Sequence, residues 1–159
     1  MKKITPCLWF DGKAEEAAMF YVSVFKRARI GTIARFGEGA PGPKGSVMTV
    51  AFQIDGQDFL ALNGGPYYTF TPAISFIVDC KTQKDVDELW GKLTAGGEES
   101  RCGWLKDKFG VSWQIVPRIL IKMLRDQDAG KARRVTQAML QMRKIDIAAL
   151  KRAYAGKKG

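Results

Sequence analysis

The sequence predicts an α+β fold built from two strand–helix–three-strand modules and a helical tail. Three observations carry this. Short runs such as "SVMTVAFQI" and "GVSWQIV" alternate or stay apolar over strand-like lengths. Two helical patterns, "DGKAEEAAMFYVSVF" and "TQKDVDELWGKLTAGG", each follow a predicted strand and precede a hairpin signal. From Pro117 onward the periodicity is helical throughout.

Taken in order, "KKITPCLWF" alternates as a first strand, and Asp11 is placed to cap the helix after it. Glu15 and Glu16 suit the positive end of that helix. Ala17, Phe20, Tyr21, Val24 and Phe25 then share one helical face. "ARIGTIARF" reads as a strand, and "GEGAPGPKG" as the loop after it. "SVMTVAFQI" and "QDFLALN" form a hairpin turned at Asp55-Gly56. "GGPYYTFTP" is a linker, and "AISFIVDC" opens the second module. Its helix places Val86, Leu89, Trp90 and Leu93 on one face and ends at Gly96-Gly97. "SRCGWLKD" and "FGVSWQIV" complete the module, with a short edge strand expected near residues 98–102.

Boundaries follow: residues 1–64 form the first module, 72–116 the second and 117–155 the tail, in one domain spanning 1–159. In the tail, Pro117 opens a helix and Ala132, Val135, Ala138, Met139 and Met142 form a packing stripe. Asp146 caps the last helix.

Composition removes several function classes. The chain has 159 residues and no histidine, so Ser-His-Asp and Cys-His catalysis and His-based metal sites are excluded. Cys7, Cys80 and Cys102 show no CxxC spacing and read as free thiols of a cytoplasmic protein. No apolar run reaches the ~18 residues of a membrane span, and Asp11 interrupts the first one too early for a signal peptide. The net charge of +10 is unevenly spread. Residues 1–116 hold 14 basic and 13 acidic side chains, a net of +1, while residues 117–159 hold 12 against 3, a net of +9. The cations Arg133, Arg134, Arg143, Lys144, Lys151, Arg152, Lys157 and Lys158 fit the outer face of amphipathic helices. With Tyr154 the only aromatic residue there, a single-strand stacking platform is disfavoured.

Five segments in order, "ITPCLWFDGKAEEAAMFY", "FLALNGGP", "FTPAISFIVDC", "GVSWQIVP" and "AMLQMRKIDIAALKRAY", resemble the vicinal oxygen chelate superfamily. That superfamily includes glyoxalase I, extradiol dioxygenases and bleomycin-resistance proteins. Within it they look most like the PhnB-like group, often labelled 3-demethylubiquinone-9 3-methyltransferase-like. The resemblance implies paired βαβββ modules forming an open curved sheet of glyoxalase-like type, a cleft between them and a homodimer. It also implies four inward strand positions that hold a metal in metal-dependent members. These fall near Thr5, Ala61, Ala73 and Gln114, or Asn63 and Ser75 after a small shift. None is a carboxylate, imidazole or thiolate, so no metal and no cofactor are expected.

The glycine-rich run "GEGAPGPKGS" leads into a strand and not a helix, so it is a poor S-adenosylmethionine turn. A small organic ligand is therefore expected in a cleft lined by Thr5, Cys7, Trp9, Asn63, Phe70, Ser75 and Gln114, with Tyr67 and Tyr68 stacking as a lid. Binding is favoured over catalysis. The alternatives are an enzyme of the same superfamily with a non-standard site, and nucleic-acid association through the basic helices.

Overall fold

A computed structural model describes residues 4–157, so Lys2, Lys3 and Lys158 lie outside the described residues. The chain divides into two compact units, residues 1–70 and 71–159.

In the first unit, β1 (Cys7–Phe10) leads to α1 (Ala14–Val24), β2 (Ala28–Arg35), β3 (Val47–Ile54) and β4 (Gln57–Asn63). The sheet order is β1-β4-β3-β2, with β1 parallel to β4 and the other pairs antiparallel. One side of the sheet is covered by α1. Val50, Phe52, Ile54, Phe59 and Ala61 are buried there, as are Ala14, Ala17, Ala18, Tyr21 and Val24 of the helix. Three alanines let the helix approach closely, and Phe52 stacks on Phe59 and Tyr21 with centroids 5.1 and 5.9 Å apart. Asp55 and Gly56 both take positive φ, 47° and 78°, which gives the hairpin the twist its strands require.

Asp11 is not the cap of α1. The helix begins at Ala14, the capping position is Lys13, and no side chain of the capping residue bonds the first turn. The cap comes from another strand. Asn63 Oδ1 accepts from the Ala14 N–H at 2.8 Å, and its Nδ2 donates to the Val47 carbonyl at 3.0 Å.

The second unit contains β5 (Ser75–Cys80), α2 (Gln83–Thr94), β6 (Glu98–Glu99), β7 (Trp104–Lys106) and β8 (Ser112–Pro117). Its order, β5-β8-β7-β6 with β5 parallel to β8, repeats that of the first sheet. Thr82 and Asp85 form a reciprocal capping box on α2. Val86, Trp90 and Leu93 are buried, as are Leu105, Trp113 and Ile115 of the sheet. Asp107 fixes the β7–β8 turn. One carboxylate oxygen accepts from the Phe109 and Val111 amides at 2.8 and 3.1 Å, and the other from the Trp113 indole at 2.8 Å.

The tail forms α3 (Arg118–Leu124), α4 (Ala129–Leu140) and α5 (Ile147–Tyr154). Leu120, Met123, Val135, Ile145 and Leu150 make a core with Val116 of β8, against which Met139 and Met142 also pack. Asp146 caps α5 by accepting from Ala149. The Gln83 amide holds the tail to α2 from both of its ends, donating to the Ile145 carbonyl at 3.0 Å and accepting from the Ile147 N–H at 2.8 Å. Of the cations singled out in the tail sequence, Arg134, Arg143 and Lys144 are engaged within the fold. Arg134 donates to the Ala153 and Tyr154 carbonyls at the end of α5, Lys144 pairs with Asp87 and Arg143 with Glu99. Arg133, Lys151, Arg152 and Lys157 are exposed.

Candidate functional site

Strand alternation divides each sheet into a helix-covered side and an open side. On β4, Phe59 and Ala61 face the helix, so Leu60 and Leu62 lie on the other side. Their cross-strand partners are Cys7 and Trp9 on β1 and Ala51 and Thr49 on β3. The same face continues to a polar row, Arg29–Gln53–Asp58, in register across β2, β3 and β4. Gln53 Nε2 donates to Asp58 Oδ1 at 2.8 Å, and the row borders a cavity of about 310 Å³ with Gly31 and Thr32.

Of the residues expected in the site, Cys7 and Trp9 lie on this open face, and Thr5 precedes β1 with the same parity. Asn63 does not. It has the parity of Phe59 and Ala61, and both ends of its amide are used in capping α1 and holding the start of β3. Phe70 packs edge-on against Phe10 with centroids 5.2 Å apart, and Phe10 belongs to the buried side of β1. The Tyr67–Tyr68 segment, expected as a lid, folds back on its own unit. Tyr68 meets the Trp9 ring edge-on at 5.0 Å, and the Trp9 indole donates to the Gly65 carbonyl at 2.8 Å.

Gly64 is needed for that arrangement, since a Cβ there would stand 2.2 Å from the indole ring. Gly64→Ala is expected to expel the indole from its seat and cost about 1–3 kcal/mol by urea denaturation. The Trp9 indole N–H resonance should move at the same time as its bond to Gly65 breaks. An unchanged resonance would contradict this packing.

In the second unit the side away from α2 carries Ser75, Ile77 and Asp79 of β5, Ser112, Gln114 and Val116 of β8, and Trp104 and Lys106 of β7. Ser112 and Val116 are buried, Val116 in the tail core, and the rest form the open face. Gln114 stands in register between Ile77 and Trp104, and its Nε2 donates to Ser75 Oγ at 2.9 Å. Ile77 is 66% exposed. Sequence reasoning found Ser75 and Gln114 but missed Ile77 and Trp104. Counting by twos from Ser75, and across the turn from Gln114, would have reached both.

Two expected ligand positions are also corrected by this register. Ala61 is fully buried under α1, so the open-face residues of β4 are Leu60 and Leu62. Ala73 precedes β5, and Ser75 is the strand residue beside Gln114. The donors available on the open strands are hydroxyls, the exposed Cys7 thiol, the neutral amides of Gln53 and Gln114, and two carboxylates already engaged, Asp58 by Gln53 and Asp79 by Arg118. Among the described residues no three His, Cys, Asp or Glu side chains gather closely enough to hold an ion. With no imidazole, and with each open-face carboxylate separately engaged, this donor set does not fit a transition metal, whose sites gather several imidazole, thiolate or carboxylate ligands.

Thiolate chemistry has no better support, because burial pushes the Cys7 thiol up. Cys80 is pushed up to about 12, first by burial and then by Asp85 and Asp79. The glycine-rich run joins β2 to β3 as a hairpin loop, with Phe36 and Ser46 bonded across its base. It therefore provides no strand-to-helix turn for S-adenosylmethionine. Among the described residues no helix is long and apolar enough to cross a membrane.

Comparison with known proteins agrees with the fold. The family described as 3-demethylubiquinone-9 3-methyltransferase matches residues 2–116. The solved structure of a PhnB protein from Bacillus cereus shares 39% identity, with a TM-score of 0.67, over 73% of this chain and 99% of that one. Protein PA1353 from Pseudomonas aeruginosa shares the fold at 20% identity and a TM-score of 0.61, over 74% of this chain and 98% of that one. No curated protein matches the chain.

Proposed function

The chain belongs to the 3-demethylubiquinone-9 3-methyltransferase (PhnB-like) family, within the vicinal oxygen chelate superfamily, and from that premise we propose that it is a binding protein. It holds a small organic molecule against an open sheet face, without a metal ion. The observation that carries this reading is the Gln114–Ser75 pair, set between exposed Ile77 and half-buried Trp104 on the open side of the second sheet.

A sheet packed on one side ordinarily turns polar residues outward. Here the outward side keeps a large apolar residue on each flank of a neutral amide. The first sheet does the same with Trp9, Leu60 and Leu62 beside the Arg29–Gln53–Asp58 row. Apolar walls with a few convergent polar groups are the usual composition of a ligand site. Gln114 can donate and accept at once, which suits a carbonyl, hydroxyl or amide on the ligand.

Methyl transfer, named in the family's description, is not part of this proposal, because the glycine-rich run forms a hairpin loop. Nucleic-acid binding is set aside because Tyr154 is the only aromatic residue of the tail, so no stacking platform accompanies its exposed cations. A homodimer and a cytoplasmic location belong to the same proposal. Sedimentation of the purified protein tests the first.

Untagged protein in chelator, screened by thermal shift against quinones, aromatic acids, S-adenosylmethionine and glycopeptides, tests binding itself. A ligand present at ~100 times its Kd adds about 2.7 kcal/mol of stability and should raise Tm visibly. Stabilisation that appears only after a divalent metal is added would sink the metal-free reading.

A further inference from the structure

We propose that the open face of the second sheet ends in an anion-receiving groove, so that its ligand is a small amphiphile with an apolar body and an anionic oxygen headgroup. This rests on reading that face as the ligand surface.

Beyond Pro117 the chain enters α3, where Arg118, Ile121, Lys122 and Arg125 recur at the spacing of a single helix face. All four are exposed, whereas Leu120 and Met123 of the same helix are buried in the tail core. That basic face borders a cavity of about 390 Å³ whose other wall is Ile77 and Asp79 of the open sheet face, with Val116, which packs into the tail core. The volume lies within the range of small-ligand sites.

The charges in the groove are unbalanced in one direction. Arg118 is held by Asp79, with Nε at 3.0 Å from the carboxylate and Nη2 in contact with the same oxygen. That pair is neutral as a unit and fixes the guanidinium at the mouth of the groove. Lys122 and Arg125 have no ion-pair partner among the described residues. Two uncompensated cations thus stand beside two exposed isoleucines, Ile77 at 66% and Ile121 at 41%. Either feature alone is common on a protein surface. Together, on one cavity, they match a ligand that is apolar along its body and negative at one end. The cations also discriminate, because a neutral analogue would meet the same apolar wall without the Coulombic gain.

Calorimetric titration in chelator at low salt tests this with octanoate, its neutral analogue octanamide, and inorganic phosphate. The expected result is octanoate bound about tenfold more tightly than octanamide, and no saturable phosphate binding. That preference should vanish in Lys122→Ala/Arg125→Ala, whose urea midpoint stays at the wild-type value, and should shrink in 0.5 M salt. Equal binding of octanoate and octanamide, or an unchanged octanoate affinity in the double variant, overturns the anion specificity and leaves the ligand face standing. Phosphate bound as tightly as octanoate overturns the amphiphile. If neither octanoate nor octanamide binds, the groove proposal fails, and the sheet face is then judged by the uncharged quinones of the thermal screen, which do not need the groove's cations.

Discussion

Asp107→Ala is expected to cost about 3–4 kcal/mol, a large share of a stability that for most domains is ~5–15 kcal/mol. The carboxylate is 2% exposed and accepts from two backbone amides and the Trp113 indole. Truncation removes three bonds to a charged acceptor and leaves the Val111 amide and the indole N–H buried beside a methyl group. The turn Asp107–Gly110 then loses its internal organiser, and with it the register of β8 that presents Gln114. Asp107→Asn should cost about half as much. Its amide oxygen can still accept from Phe109 and Val111, but its NH2 faces the indole N–H, donor against donor. Urea denaturation followed by near-ultraviolet circular dichroism of the buried tryptophans measures both. A loss below 1 kcal/mol for the alanine variant would mean that the turn is held by its backbone alone.

Asn63→Ala is expected to cost about 2–3 kcal/mol and to act on the first unit. One side-chain amide joins three elements: it sits on β4, caps α1 through Ala14, and donates to Val47 where β3 begins. The alanine leaves the first amide of a helix whose own capping residue, Lys13, offers no substitute. The change should show as increased hydrogen exchange at Ala14 and at the start of β3, with α2 and the tail unaffected. Protection that falls evenly over both units would contradict so local a role.

These two residues show what was legible in the sequence. Strand alternation, the Asp55-Gly56 turn and the Asp146 cap are local signals, and each was readable because its cause lies within a few residues. The repeat of strand–helix–hairpin was readable for the same reason, and the matching orders β1-β4-β3-β2 and β5-β8-β7-β6 follow from it. Asn63 and Asp107 depend on partners brought close by folding. Asp11 was the nearest acidic residue before α1 and therefore the natural local choice of cap, but a strand 49 residues away from Ala14 supplies the real one.

The site was legible in part, and the parity of the strands explains where it was not. Ser75 and Gln114 meet as a bonded pair because β5 and β8 lie side by side in parallel. Ala61 and Asn63 fell on the covered side because the register of β4 was set one residue off, and in a strand one residue exchanges the faces. The basic tail misled through its total charge. Arg134, Arg143 and Lys144 are structural cations, visible as such only once their acceptors on α5, α2 and β6 are placed.

The most direct test of the account is a calorimetric titration of wild type and Gln114→Leu, in chelator, with the tightest ligand from the thermal screen. Gln114 is only half-buried and its one bond is to Ser75, so the leucine variant should keep the wild-type urea midpoint within about 1 kcal/mol. Wild type is expected to bind without metal, with a Kd about tenfold weaker in the variant, which corresponds to ~1.4 kcal/mol. Binding that is abolished by the chelator, or left unchanged by loss of the Gln114 amide, would contradict it.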